Sequence, residues 1–224
     1  MTWAENLLLY YENLKCPALP YGIECMNPYR ETAVMDCVRV FLSKYYADDQ
    51  QRTLLFGINP GRFGSGTTGL SFTDPVALES ALGISNSFKK QRELSSEFVY
   101  KVIDAMGGPS VFYARFFVSA VYPLGFLKDG KNLNYYEIPG WEKQLKPHIE
   151  NEIRQHLNWP VNREVAVCIG KGTNAKIFME LNRMNGWFNR IEILPHPRWV
   201  MQYNRKRLGD YVAEYCRCLN ALSH

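Results

Sequence analysis

At 224 residues and 46% hydrophobic composition, the chain suits one substantial core, and it contains no apolar run long enough to cross a bilayer. Its 26 Lys plus Arg against 22 Asp plus Glu leave a net charge of +4, which permits a polyanionic partner without requiring one. Six cysteines (Cys16, Cys25, Cys37, Cys168, Cys216, Cys218) form no CxxC pair, which argues against a metal or iron–sulfur centre, and a chain of this size needs no disulfide.

The opening stretch MTWAENLLLYYENL mixes acids with apolar residues and has no basic leader, so no secretory signal is expected and a cytoplasmic location is. Two helical patterns follow, around residues 3–14 and 30–46, joined by a connection containing Pro17, Pro20 and Pro28. In the second, Val34, Cys37, Val38 and Phe41 have the spacing of one buried face. RTLLFGI then reads as a buried strand, running into a loop with Gly57, Gly61, Gly64, Gly66 and Gly69. Asp74-Pro75 has the N-cap and first-turn chemistry of a helix start. A helix through SSEFVYKVIDAMGG ends at Gly107-Gly108. ARFFVSAVYPLGF gives a second apolar strand, halted by Pro123 and followed by a polar, Tyr-rich excursion to about residue 145.

The remaining units alternate: helix 147–157, strand REVAVCIG, helix TNAKIFMELNRM, strand RIEILPH and a final helix from Arg205. That last helix places Leu208, Tyr211, Val212, Tyr215 and Leu219 on one face. Strands alternating with helices predict an α/β protein, a three-layer α/β/α sandwich around a mainly parallel four-stranded sheet. Residues 1–224 are expected to form a single domain, with residues 1–50 as helices packed on it. Ligands of such sheets bind beyond the carboxyl ends of the strands. The loops at Asn59-Pro60-Gly61, Ser119 to Pro123, Gly170 to Asn174 and Pro195 to Arg198 should therefore converge on one rim.

Three of those loops carry readable chemistry. The Gly-rich loop has the backbone freedom of a phosphate cradle, but no Lys-Ser/Thr follows it as a P-loop requires. Gly170-Lys171-Gly172-Thr173 before a helix offers N–H groups and a cation to an anion; equally, it makes an ordinary strand-to-helix turn capped by Thr173. Of the four histidines, His148 and His156 lie in a polar helical stretch and His224 is terminal. His196 stands apart, because flanking Pro195 and Pro197 hold it extended at low entropic cost. Between Arg183 and Arg207 there are six Lys/Arg (Arg183, Arg190, Arg198, Arg205, Lys206, Arg207) against one acid, Glu192. With Trp199 among them, this segment suits an anionic, stackable substrate such as nucleic acid.

With Asn59 and His196 on one rim, the sequence resembles the uracil-DNA glycosylase superfamily, nearest its single-strand-selective monofunctional (SMUG-like) branch. The resemblance rests on an ordered set: GINPGRFGSGTTGLSF, FVSAVYPLGF, CIGKGTNAK and LPHPRWVMQYNRKR, together spanning roughly residues 53–207. It implies a DNA glycosylase of base excision repair that flips uracil or a related damaged base from DNA and removes it by hydrolysis, as a monomer with no metal or organic cofactor. Carried over by position, Asn59 orients the attacking water and His196 donates to the uracil O2. Phe72 stacks on the base, within a pocket formed by Gly57, Ile58, Pro60, Gly61, Phe63, Ser119 and Ala120. The DNA contacts fall to Lys171, Gly172, Thr173, Asn174, Pro197, Arg198, Trp199, Arg205, Lys206 and Arg207, with Arg198 and Trp199 as the wedge. Two departures stand out. Relatives read the uracil edge with an Asn where this chain has Ala120, leaving main-chain groups, Ser119 or Asn174 as readers; and Asn59 replaces the Asp of other relatives, so it cannot remove a proton. The alternatives are a non-catalytic DNA-binding member of the superfamily and an unrelated nucleotide-handling enzyme.

Overall fold

The computed structural model describes residues 1–222, so the terminal His224 lies outside it. The chain begins with α1 (Trp3–Asn13), closed by a reciprocal cap in which Thr2 and Glu5 accept each other's backbone N–H. Next come β1 (Ile23–Met26) and α2 (Thr32–Tyr45), which buries Val34, Met35, Cys37, Val38, Phe41, Leu42 and Tyr45. The five residues of β2 (Thr53–Gly57) are all buried. Short helices α3 (Ser65–Thr68) and α4 (Pro75–Ser80) lead to α5 (Leu94–Ala105) and α6 (Pro109–Arg115). Strand β3 (Phe116–Ala120) precedes a hairpin of β4 (Gly125–Lys128) and β5 (Lys131–Leu133). After α7 (Trp141–Gln144) and α8 (Lys146–His156), the chain alternates through β6 (Val165–Ile169), α9 (Thr173–Asn185), β7 (Arg190–Leu194), α10 (Pro197–Tyr203) and α11 (Leu208–Asn220).

The main sheet has the order β3-β2-β6-β7, with every neighbouring pair parallel. The sequence expectation of a four-stranded parallel sheet between helical layers is met. One face, through Leu55, Val118 and Ile169, meets Val99 and Val102 of α5, Phe112 of α6, and Tyr215 and Leu219 of α11. The other, through Phe56 and Phe117, meets Trp3 of α1, His156 of α8 and Phe178 of α9. The N-terminal helices are tied to the sheet by Arg52, which is 1% exposed. Its guanidinium donates to Asp48 (2.7 and 2.9 Å), Tyr45 O (3.2 Å) and Tyr113 O (2.7 Å), which satisfies a charge that burial would otherwise make costly.

Several expectations need correction. ARFFVSAVYPLGF is not one strand: its start closes α6, its middle is β3, and its end enters β4 in a second, antiparallel sheet of order β1-β4-β5. The polar, Tyr-rich excursion holds the β4–β5 hairpin of that sheet, turned by Asp129-Gly130, both at positive φ, while β1 comes from the Pro-rich connection near the N-terminus. Residues 197–203 form a helix of their own before the final one. Thr173 does not cap α9, whose N-cap is Gly172 at φ +89°. Finally, Cys16 and Cys25 are joined in a disulfide that closes the connection between α1 and β1.

Candidate active site

The carboxyl ends of β2, β3 and β7 open onto a cavity of about 340 Å³, lined by Gly57, Ile58, Asn59, Phe72, Ala120 and His196, with Arg198, Trp199 and Tyr203 at its mouth. The β2–β3 pairing continues past the strand ends, with Val121 N–H donating to Gly57 O (2.9 Å) and Tyr122 N–H to Ile58 O (3.1 Å). This fixes the floor on which Asn59 stands. Its side chain is held by the end of β5 and the turn that follows. Asn59 Oδ1 accepts the Tyr135 N–H (3.0 Å) and Nδ2 donates to Leu133 O (3.2 Å), so the amide's orientation is set by its partners. A second lone pair on Oδ1 remains for a water.

Phe72 is one of two described non-glycine residues at positive φ (51°), a conformation costing about 1 kcal/mol. Its turn is held by Thr68 Oγ1 donating to Thr73 O (2.7 Å) and by Asp74, which caps α4 through Val76 and Ala77 N–H. The ring lies so close to β2 that a Cβ on Gly57 would approach its Cζ to 3.0 Å. Gly57 is thus required for ring placement.

His196 is the N-cap of α10, extended at φ −67° and ψ 131°, as its flanking prolines predict. Its Nδ1 accepts the Arg198 N–H (3.2 Å). An accepting Nδ1 in a neutral ring assigns the proton to Nε2. Burial first, and then the Arg198 charge, push its pKa down to about 4, so the ring is a neutral donor at neutral pH. Its neighbour Gly170 (φ +135°) turns the end of β6 past it: a Cβ there would sit 3.7 Å from His196, Ile58 and Asn174 alike.

The structure brings Gly57, Ile58, Asn59, Pro60, Gly61, Phe72, Ser119, Ala120, His196, Arg198 and Trp199 together. Phe63 is not with them; its ring faces the Arg62 guanidinium, 4.3 Å away. Ser119 borders the cavity, but its hydroxyl is 3.0 Å from His156 Nε2, because residues 117 and 119 share the strand face on which His156 lies. Asn174 is 1% exposed and occupied by the Tyr135 hydroxyl and the Cys168 thiol, which removes it as a base reader and as a DNA contact. Pro197 is likewise buried in the first turn of α10. Lys171, Gly172 and Thr173 are exposed on the β6–α9 turn, outside the cavity. Arg205 and Arg207 are exposed and ion-paired with Glu97 (3.1 Å) and Asp210 (3.0 Å), and Lys206 is exposed between them.

Sequence reasoning missed Glu93, Ser95, Asn132, Asn134, Gln202 and Tyr203, all on the cavity wall. For Asn132 and Asn134 a signal existed: Asp-Gly between GFLK and KNLN is a hairpin signature. Trp199 and Tyr203, one helical turn apart, are 45% and 69% exposed, which makes an aromatic rim.

Comparison with known proteins agrees with this geometry. The model of the Uracil DNA glycosylase superfamily matches residues 43–220. No curated protein matches the chain. Among solved structures, the crystal structure of wild-type Pedobacter heparinus SMUG2 superposes with a TM-score of 0.95 and 39% identity, over 99% of this chain and 98% of that one. A neutral histidine, a clamped asparagine and an aromatic ring on the rim of this sheet thus accompany a family match over most of the sequence, and the chain belongs to the uracil-DNA glycosylase superfamily as a SMUG-like member.

Proposed function

We propose that the protein is a DNA glycosylase that hydrolyses the bond between deoxyribose and a flipped uracil or related damaged base. The observation that carries this reading is His196, a neutral imidazole that lines the cavity and whose Nε2–H has no partner among the described residues. Glycosidic cleavage leaves negative charge on the departing base. One fixed donor to such a charge in a desolvated site is worth about a hundredfold or more in rate.

Phe72 supplies the stacking face. The Asn59 amide, held by Tyr135 and Leu133, offers Oδ1 as hydrogen-bond acceptor to the water that attacks C1′. Asn is no base, but when bond cleavage runs ahead of water attack the water needs positioning more than deprotonation. Extraction of a base costs a few kcal/mol, which stacking and phosphate contacts must offset. Arg198, Trp199 and Tyr203 at the mouth are assigned to the wedge and the phosphates. Release of free base from single- and double-stranded oligonucleotides containing one uracil, followed by chromatography, tests the reading.

A second reading has one observation in its favour. Ala120 brings no polar side chain to the cavity, and the Ser119 hydroxyl and Asn174 amide are spent elsewhere. A non-catalytic member of the superfamily would hold DNA with salt-sensitive affinity and never release a base.

A further inference from the structure

The cavity contains one acid that these roles do not use. Glu93 precedes α5, and its backbone N–H donates to Asp74 Oδ2 (2.8 Å). Its carboxyl enters the cavity wall through space that glycines leave open. A Cβ on Gly64 would lie 2.0 Å from Oε2, and one on Gly61 would lie 3.1 Å from Oε1. Among the described residues no donor hydrogen-bonds to this carboxyl, so its polar atoms await a partner from outside the chain.

The charged surroundings come from every element packed about it. Asp74 faces it from the turn before α4 and Arg198 from α10, beyond ion-pair distance. On the 61–66 loop, Arg62 is engaged by Gly130 O and the Phe63 ring. On α5, Glu97 is paired with Arg205. From the β5 side comes the neutral Asn132, whose Nδ2 lies 3.3 Å from the same Gly61 Cβ position, and Lys131 is exposed. Burial, and then the Asp74 carboxylate, push the Glu93 pKa up to about 7 against the downward pull of Arg198.

On the glycosylase reading, we propose that Glu93 in its neutral form contacts the extracted base, presenting an O–H donor and a C=O acceptor side by side to its polar edge. A protonated carboxyl displays the same donor and acceptor pair as a carboxamide. It therefore restores to the cavity what Ala120 lacks. The ionised form does the opposite, placing a negative charge beside a leaving base that is itself becoming anionic. The proton is held below about pH 7 and lost above it. Base engagement and excision thus fall as pH rises through neutrality.

The test is single-turnover excision by wild type, Glu93→Gln and Glu93→Ala between about pH 6 and about pH 9. The wild-type rate should fall about tenfold per pH unit above neutrality, while Glu93→Gln stays level across the range. Glu93→Ala should be at least about tenfold slow even at low pH, where the wild type is protonated. A Glu93→Gln profile that declines with the wild type, or a Glu93→Ala rate equal to wild type at low pH, would overturn the proposal. Affinity for an oligonucleotide carrying an uncleavable 2′-fluorinated deoxyuridine, measured against the same oligonucleotide with a tetrahydrofuran abasic analogue that has no base edge, reads the contact without bond breaking. Preference for the uracil analogue should fade above neutral pH in wild type and persist in Glu93→Gln. If no protein excises at any pH, the glycosylase reading fails by itself, and this binding contrast still decides for or against Glu93: a wild-type preference that ignores pH overturns it.

Discussion

The regions around His156 and His196 begin with the same physics and end with different chemistry. Burial pushes both imidazoles down to about 4, so both are neutral at neutral pH. His156, on α8, has both nitrogens occupied: Nδ1 lies 2.6 Å from Glu152 O, and Nε2 meets the Ser119 hydroxyl at 3.0 Å. Tyr10, Phe117 and Trp159 pack around its ring. His196, just past β7, has only Nδ1 occupied among the described residues, and the proposed function assigns its second nitrogen to the substrate. A displaced pKa does not mark a functional group here; an unsatisfied donor in a cavity does.

Variants can sharpen that contrast, beginning with the largest effect. His196→Ala should slow excision at least about a hundredfold, the scale of one oriented donor to a developing charge, far more than the loss of its cap on α10, about 1 kcal/mol of stability, accounts for. Asn59→Ala should slow it at least about tenfold, because the water loses its acceptor. His156→Gln should reverse the pattern: about 1 kcal/mol of stability lost in denaturant unfolding, with the excision rate per folded molecule close to wild type. The pH dependence of unfolding separates the two further. A histidine with a depressed folded pKa contributes stability that is full above its unfolded value of about 6.5 and is lost as pH falls through about 4. Wild type should therefore destabilise across that window with the uptake of protons at both rings, and His156→Gln should show a shallower slope. At the small end, Arg205→Ala should lower the salt dependence of DNA binding by about one counterion without changing the rate at saturation.

Much of this architecture was legible in the sequence. Four apolar runs punctuated by helical patterns dictate a parallel sheet, and the residues that end those runs, Asn59, Ala120 and His196, necessarily meet at one rim. The prolines around His196 announce its extended backbone. What was not legible depends on which way a side chain faces. Ser119 and Asn174 stand in the right loops, but strand alternation turns one toward His156, and helix packing buries the other beneath Tyr135. Glu93 lies in KKQRELSSE, a polar run with no local feature that separates a solvated acid from one inserted between glycine backbones. The Cys16–Cys25 pairing likewise depends on how the chain folds back after α1, which spacing alone does not reveal.

The central claim is that the His196 cavity breaks glycosidic bonds, and the most direct test uses uracil-containing oligonucleotides, single- and double-stranded, incubated with wild type and with His196→Ala and then treated with hot alkali to cleave abasic sites. The account predicts strand scission at the uracil position with wild type and almost none with the variant. Equal scission by both proteins would contradict the assignment of the site, and no scission by wild type despite DNA binding would favour the non-catalytic reading.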